Sequence, residues 1–277
     1  MSIVYAVMDA LLPFEWVNYT FMKNALLAML LITPLFGMLG TMAVDNKMAF
    51  FSDALGHSAL TGIAIGVMLG WQSQMLSMLL FGILWSILIT FVKHNSKMSP
   101  DTIISVFSST SVALGLVILA RGGAFAKYSS YLVGDVLSVT QGDLLALLIT
   151  LLVTAVVWAF LFNPLLVTSV NAPLAQSRGV RARTTEYVFT IVVAVAVMMS
   201  IRWVGVMLIN SLLILPAAAS RNVARNTAWY MRLSIIFSVV CGVSGLVLSY
   251  YLNTSAGAAV VLCAAAVYFA TLPLRRK

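Results

Sequence analysis

Asp53 and His57 are the residues of this chain whose types and spacing could do chemistry. They lie four positions apart in FFSDALGHSALTG (residues 50–62), and His57 is one of only two histidines in the chain. On a helix, residues four apart are neighbours, with Cβ atoms about 6 Å apart. A carboxylate oxygen and an imidazole nitrogen at this spacing can therefore reach one common ion, at about 2.0–2.2 Å from each for zinc.

Two ligands are too few for a closed structural zinc site, which takes four. The pair suits a transient station instead, at which water or the same pair of a second copy completes the shell. Two other interpretations stay open. The Asp–His pair could be hydrogen-bonded and simply fix helix packing, or the side chains could reach the membrane surface from near the end of a span. Ionisable residues inside membrane segments are by default candidates for function.

The segment that carries the pair also has a stripe of small side chains. Every fourth residue is small, and the stripe consists of Ala54, Ser58, Gly62, Gly66 and Gly70. Such ridges let helix backbones approach closely in lipid. Asp53, His57 and Thr61 form the adjacent ridge, about 100° around the helix. The pattern predicts a helix that packs tightly on a neighbour and shows its polar stripe beside that contact, toward a bundle interior or a pore.

The composition indicates an integral membrane protein. The chain has 277 residues, of which 62% are hydrophobic and 9% charged, with a mean hydropathy of +1.04. Soluble domains carry about 25% charged residues. The N-terminus lacks a basic n-region and a small-residue cleavage site, so we predict no removable signal peptide. Cys241 and Cys263 lie in apolar stretches and are expected to be free, buried thiols.

The charge-free runs predict a single all-α transmembrane domain over residues 1–277 with about nine spans. These runs cover residues 24–44, 54–92, 102–120, 144–177, 187–201, 203–220 and 233–274. The second run is broken at residues 70–74 and the last at residues 251–255, so each holds two helices. In the fourth run we expect one span to end near Phe162, because two prolines follow it.

The Lys and Arg residues predict the orientation of these spans. With the loop that holds Lys93 and Lys97 in the cytoplasm, 12 of the 16 basic residues fall inside, which follows the positive-inside rule and places the N-terminus outside and the C-terminus in the cytoplasm. The inner ones are Lys47, Lys93, Lys97, Arg178, Arg181, Arg183, Arg221, Arg225, Arg232, Arg275, Arg276 and Lys277, and the outer ones are Lys23, Arg121, Lys127 and Arg202. The basic residues lie between apolar spans and form no cluster with interleaved aromatics, which argues against nucleic-acid binding despite the net charge of +8.

Two regions of the chain are predicted not to cross the membrane. Residues 121–143 should form an outer loop with a short interfacial helix, and residues 162–186 a long inner loop whose middle forms a short helix along the membrane. We interpret His94 as a solvated loop residue and Asp135 and Asp143 as helix caps. No phosphate-binding loop, nucleophile elbow or zinc-protease motif occurs in the sequence, so the chain has no ATPase motif of its own and an intramembrane enzyme ranks last.

Several stretches together resemble one family, the membrane permeases of bacterial ATP-binding-cassette importers for zinc and manganese. Its marker has the form D-[AT]-L-[SAG]-H-[AS]-x-[LP]-x-G, and this chain has SDALGHSALTG at residues 52–62. YLVGDVLSVTQGDL (131–144) looks like the family's outer loop, and VGVMLINSLLILPAAASRNVARN (204–226) is similar to its late span with Pro-Ala-Ala. NTSAGAAVVLCAAAVY (253–268) is similar to the last span, so the resemblance covers nearly the whole chain.

The resemblance implies a fold related to the vitamin-B12 and siderophore importer permeases, in the bacterial inner membrane. It implies a homodimer embedded in lipid, a cytoplasmic ATP-binding subunit and an extracytoplasmic metal-binding protein. Asp53 and His57 would coordinate the transported metal, and no cofactor would be bound permanently. The coupling element that receives the ATPase would comprise Ala172, Pro173, Leu174, Ala175, Gln176, Ser177, Arg178, Gly179 and Val180.

Two alternatives from other classes stay open at this point. In a secondary, proton-coupled transporter, Asp53 and His57 would form a proton relay. In a non-transporting membrane scaffold, the same pair would be purely structural. Carboxylate and imidazole ligands serve zinc, manganese and iron alike, so the residue types do not choose the metal.

Overall fold

The computed structural model describes residues 2–11, 14–121 and 134–274, and within these residues every regular element is helical. The α-helices are α1 (Ser2–Leu11), α2 (Thr20–Asp45), α3 (Phe51–Met68), α4 (Gln74–Asn95), α5 (Pro100–Arg121), α6 (Gln141–Val170), α7 (Ala172–Ser177), α8 (Ala182–Val204), α9 (Val206–Val223), α10 (Thr227–Leu252) and α11 (Ala256–Thr271). Short 3-10 turns cover Glu15–Asn18, Val136–Ser138 and Leu272–Leu274. The predicted all-α class is confirmed.

Eight helices in the described part of the chain are long and apolar enough to cross a membrane: α2, α4, α5, α6, α8, α9, α10 and α11 with its 3-10 extension. Each coincides with one of the predicted spans. The remaining predicted span coincides with α3, which has 18 residues and is therefore about 27 Å long. Helix α3 is not among the eight because Asp53, His57 and several small residues lower its mean hydropathy.

The predicted end of the fourth run near Phe162 is wrong. Helix α6 has 30 residues and continues to Val170 with Pro164 inside it. A proline removes one backbone hydrogen bond, but membrane helices tolerate it because neighbouring groups satisfy the freed carbonyls. The carbonyl freed by Pro164 is that of Phe160, four residues earlier, while the hydroxyl of Thr168 adds a bond to the carbonyl of Pro164 itself at 2.8 Å.

Helix α8 is separated from α9 by a single residue, Gly205. Its backbone has φ 76° and ψ 161°, a conformation that side chains other than glycine rarely adopt. The amide of Gly205 still donates to the carbonyl of Ile201 at 2.8 Å, so α8 is completed before the chain changes direction. The boundary between the sixth and seventh predicted spans thus lies at this glycine.

Helix α3 lies among four other helices and contacts α4, α5, α8 and α9. Helix α2 packs against α6, α9 and α10. The hydroxyls of Ser234 and Ser238 on α10 donate to the carbonyls of Gly37 and Thr33 at 2.6 and 2.7 Å. Each bond joins a side chain of α10 to the backbone of α2, which requires the two helices to approach closely. A Cβ at Gly37 would lie only 3.0 Å from the Cα of Ile235.

The segment before α6 has the predicted caps. The carboxylate of Asp135 accepts from the amide of Leu137 at 3.1 Å, and Asp143 forms a capping box with Thr140 at the start of α6. The side chain of Asn24 donates to the carbonyl of Val139 at 2.9 Å and ties this segment to α2.

Two predictions concern residues outside those that the structure describes. The outer loop predicted to hold a short interfacial helix includes residues 122–133, which lie outside the described residues. Four of the basic residues counted for the orientation, Lys127, Arg275, Arg276 and Lys277, also lie outside them.

Candidate metal site

The candidate pair lies in the first two turns of α3. Between residues 51 and 64 of this helix, every residue is buried except Asp53 and His57. Their side chains are 36% and 34% exposed. Over these 14 residues the helix is therefore accessible only at one acid and one imidazole.

The two side chains are close but not hydrogen-bonded. His57 Nε2 lies 3.7 Å from Asp53 Oδ1, beyond the usual N–H···O range of about 2.7–3.2 Å. If an ion lay about 2.1 Å from both atoms, the nitrogen–ion–oxygen angle would be about 120°, near the tetrahedral angle that zinc prefers. The separation is therefore compatible with a shared ion and is too long for the hydrogen bond that a purely structural pair would make.

The neighbours of the pair are fixed by polar contacts. Ser52 donates to the side-chain oxygen of Asn210 on α9 at 2.8 Å. Thr61, which shares a ridge with the pair, is fully buried against α5, where its hydroxyl donates to the carbonyl of Ser111 and lies 3.1 Å from that residue's hydroxyl. The open polar stripe thus ends at His57, and Thr61 anchors α3 to α5.

The small residues of α3 are buried against other helices as far as Gly66. Ala54 and Ser58 are buried. A Cβ at Gly62 would lie 2.9 Å from the Cα of Met78, and one at Gly66 would overlap the hydroxyl of Ser77, so both glycines admit α4. Gly70 is different. It lies beyond the end of α3, is exposed, and has no atom of the described residues within 4 Å of its Cβ position.

Gly70 ends the helix instead. Its φ is +70°, and the amides of Gly70 and Trp71 donate to the carbonyls of Val67 and Gly66 at 3.1 and 2.9 Å. This is the Schellman arrangement, in which a residue in the left-handed conformation satisfies the last helix carbonyls. The four-residue spacing continued into Gly70 because a capping glycine is also a small residue.

The structure offers two ligands per chain at this position. In residues 2–11, 14–121 and 134–274 no group of three or more His, Cys, Asp or Glu side chains could hold a metal ion.

The segment expected to couple to an ATPase is short and ordered. Helix α7 covers Ala172–Ser177, so the predicted short helix is present, and the amides of Gly179 and Val180 close it by donating to Gln176 and Ala175 at 2.9 and 3.0 Å. Ala175 is buried, whereas Pro173, Gln176 and Arg178 are exposed. The side chains of Ala172 and Leu174 lie outside the described part. The segment is a compact projection with polar and basic groups on its surface.

The interpretation of His94 as a solvated loop residue is wrong. It lies in the last turn of α4, only 19% exposed, with Nε2 3.2 Å from Oε2 of Glu186 on α8. Lys93 contacts the other oxygen of the same carboxylate at 2.6 Å. No sequence signal indicated Glu186, because its partners are 92 and 93 positions away and belong to another helix.

Comparison with known proteins agrees with this architecture. Residues 18–275 match the family model described as the ABC 3 transport family. The chain is 30% identical over 254 residues to the high-affinity zinc uptake system membrane protein ZnuB of Haemophilus influenzae, covering 91% of this chain and 97% of the relative. It is 31% identical over 263 residues to the manganese import system permease protein ScaB of Streptococcus parasanguinis, covering 94% of each.

A solved structure gives the same result for the fold. PsaBC from Streptococcus pneumoniae in complex with Fab superimposes with a TM-score of 0.79 at 27% identity, over 98% of this chain and 95% of the other. The chain therefore belongs to the ABC 3 transport family, and its resemblance to zinc and manganese ATP-binding-cassette permeases, predicted from SDALGHSALTG and the later motifs, is confirmed.

Proposed function

We propose that this chain is the membrane permease subunit of an ATP-driven importer for a divalent metal ion, zinc or manganese, and that Asp53 and His57 bind the ion in transit. The observation that carries this proposal is the exposure of α3: its residues from 51 to 64 are buried except for this pair. Ionisable side chains inside a membrane protein are costly, and they face a bundle interior or a water-filled path.

The ligands of the pair suit transient binding of a metal ion better than permanent binding. The carboxylate of Asp53 and the neutral imidazole of His57 supply one oxygen and one nitrogen ligand, which zinc and manganese both accept. Two ligands per chain hold the ion weakly enough for release. In a homodimer two such pairs can face one ion, and water can fill any remaining position.

The partners follow from family membership and from the inner segment. We propose that a cytoplasmic ATP-binding subunit docks on residues 172–180, and that an extracytoplasmic metal-binding protein delivers the ion on the opposite side. The exposed Pro173, Gln176 and Arg178 would form part of the docking surface. This arrangement requires the inner bacterial membrane with the N-terminus outside and the C-terminus in the cytoplasm.

Metal uptake by reconstituted vesicles tests the assignment of the pair. The permease, its ATPase subunit and its binding protein are assembled in vesicles, and ATP-dependent uptake of radioactive zinc or manganese is measured. We expect Asp53→Ala and His57→Ala to abolish uptake while the complex still assembles. Asp101→Ala is the matched control, because Asp101 is an exposed acid in the first turn of α5, and it should transport normally. Normal uptake by both pair variants would refute the assignment.

The same vesicles separate this proposal from a proton-coupled transporter. An ATP-driven permease needs its nucleotide-binding subunit and keeps transporting when a protonophore collapses the proton gradient. Uptake that continues without ATP and stops with the protonophore would instead support the proton-relay alternative.

A further inference from the structure

Three ionisable side chains meet where the end of α4 contacts the start of α8. Glu186 lies between Lys93 and His94, with its Oε1 2.6 Å from Lys93 Nζ and its Oε2 3.2 Å from His94 Nε2. The three side chains are 15–19% exposed. Lys93 donates a hydrogen bond to one carboxylate oxygen of Glu186, whereas His94 Nε2 lies beside the other oxygen without a hydrogen bond to it. We call Lys93, His94 and Glu186 the inner ion cluster.

The inner ion cluster is a costly feature in a chain of which only 9% of residues are charged. Partly buried charges lose hydration, and they persist where good geometry compensates for that loss. Here the helix end helps, because Lys93 lies in the last turn of α4, where the helix dipole favours a cation. Removal of Glu186 alone would leave Lys93 without its partner.

The cluster is only one of the contacts that join α4 to α8. One turn further into the bundle, Thr90 donates to the hydroxyl of Thr190 at 3.0 Å. Further along, Gly82 accepts the side chain of Met198, whose Cε would lie 2.5 Å from a Cβ at that glycine. The two helices are therefore matched along most of their length, and the cluster fixes their register at the inner end.

The cluster also lies between the inner segment and the metal pair. Helix α8 begins at Ala182, two residues after Val180, the last residue of the proposed docking segment. On its other side, α4 packs against Gly62 and Gly66 of α3, the helix that carries Asp53 and His57. A contiguous series of contacts thus runs from residues 172–180 through α8 and α4 to α3.

We propose that Glu186 is a positioning residue for transport: it holds α8 and α4 as one unit, so that displacement of the inner segment by the ATPase reaches the metal pair on α3. The inference rests on the proposed function. Tightly packed elements with two discrete arrangements move as rigid bodies, and a charged clamp at the point of entry keeps them together.

The test is the number of ATP molecules hydrolysed per metal ion transported by the reconstituted complex. Glu186→Gln keeps the shape of the side chain but removes its charge. We expect this ratio to rise about five-fold or more, the scale of typical coupling energies, while the amount of assembled complex stays unchanged. Reversing the pair, with Lys93→Glu combined with Glu186→Lys, should restore much of the wild-type ratio.

Asp9→Asn is the matched control. It removes the other Lys–carboxylate pair with a 2.6 Å contact, between Lys23 on α2 and Asp9 on α1, which lies outside the series of contacts. Its ratio should equal that of the wild type. An unchanged ratio in Glu186→Gln, or no restoration in the reversed pair, would overturn the proposal. Failure of the wild-type complex to transport metal with ATP would instead contradict the proposed function itself, so the two failures are distinct.

Discussion

Replacement of Gly62 by alanine tests the close packing of α3 on α4. A Cβ at this position would lie 2.9 Å from the Cα of Met78 and 3.1 Å from the carbonyl oxygen of Ser77. Both are backbone atoms of α4, so neither can rotate out of the way as a side chain could. Gly62→Ala must therefore move the two helices apart by a few tenths of an ångström.

The loss of stability in Gly62→Ala is best measured relative to the same substitution at a glycine with free space around it. Overpacking lowers the free energy of unfolding by about 1–3 kcal/mol. Alanine in place of glycine in a helix interior raises it by about 1 kcal/mol. At Gly142, in the first turn of α6, the nearest atom to a new Cβ is 3.9 Å away, so Gly142→Ala meets no such obstacle. The free energy of unfolding of Gly62→Ala should then be about 1–3 kcal/mol below that of Gly142→Ala.

The assay is reversible unfolding of the purified permease in mixed micelles of mild detergent and dodecyl sulfate, followed by circular dichroism. Both variants carry the same chemical change, so the difference between them isolates the contact with α4. Equal stability of the two variants, or a more stable Gly62→Ala, would refute the close contact as the reason for glycine at position 62.

Two further predictions concern stability and use the same unfolding assay. Gly70→Ala should lower the free energy of unfolding by about 1 kcal/mol although the space around Gly70 is open, because φ is +70° there, and no loss would contradict the capping role. Ser238→Ala should lower it by about 0.6 kcal/mol, the average for an interhelical hydrogen bond in a membrane protein, because the bond to the carbonyl of Thr33 is lost. In that case Ser244→Ala is the control, since its hydroxyl bonds only within α10, and an equal loss there would argue against the contribution of the α2 contact.

Much of the fold could be predicted because membrane helices are recorded in the sequence as charge-free runs. The predicted spans coincide with α2–α6 and α8–α11, and their ends agree to within about six residues except at the end of α6. Pro164 misled the prediction because the rule that proline breaks helices comes from water, where a freed carbonyl has an easy alternative partner. In α6 the helix continues through it to Val170.

The candidate pair was accessible to sequence reasoning because its geometry is local. A spacing of four residues on one helix places Asp53 and His57 side by side whatever the rest of the fold does. The spacing does not predict burial. Helices α4, α5, α8 and α9 cover α3 so that, from residue 51 to residue 64, only these two side chains stay partly exposed. For the same reason Thr61 was grouped with the pair although it bonds to α5.

The inner ion cluster, in contrast, could not be predicted from the sequence. Lys93 and His94 are followed by the polar residues of the loop before α5, so local context indicates solvent. Their partner Glu186 is far away in sequence, and only the packing of α8 on α4 brings the three together. Contacts of this kind can be read from coordinates but not from one sequence.

X-ray absorption at the zinc edge tests the central claim most directly. The chain has only two histidines, so any imidazole scattering from zinc bound to the purified permease comes from His57 or His94. We predict a shell of nitrogen and oxygen ligands at about 2.0–2.2 Å with an imidazole signature that His57→Ala removes and His94→Ala leaves intact. An imidazole signature that survives His57→Ala would contradict the assignment of Asp53 and His57 as the metal-binding pair.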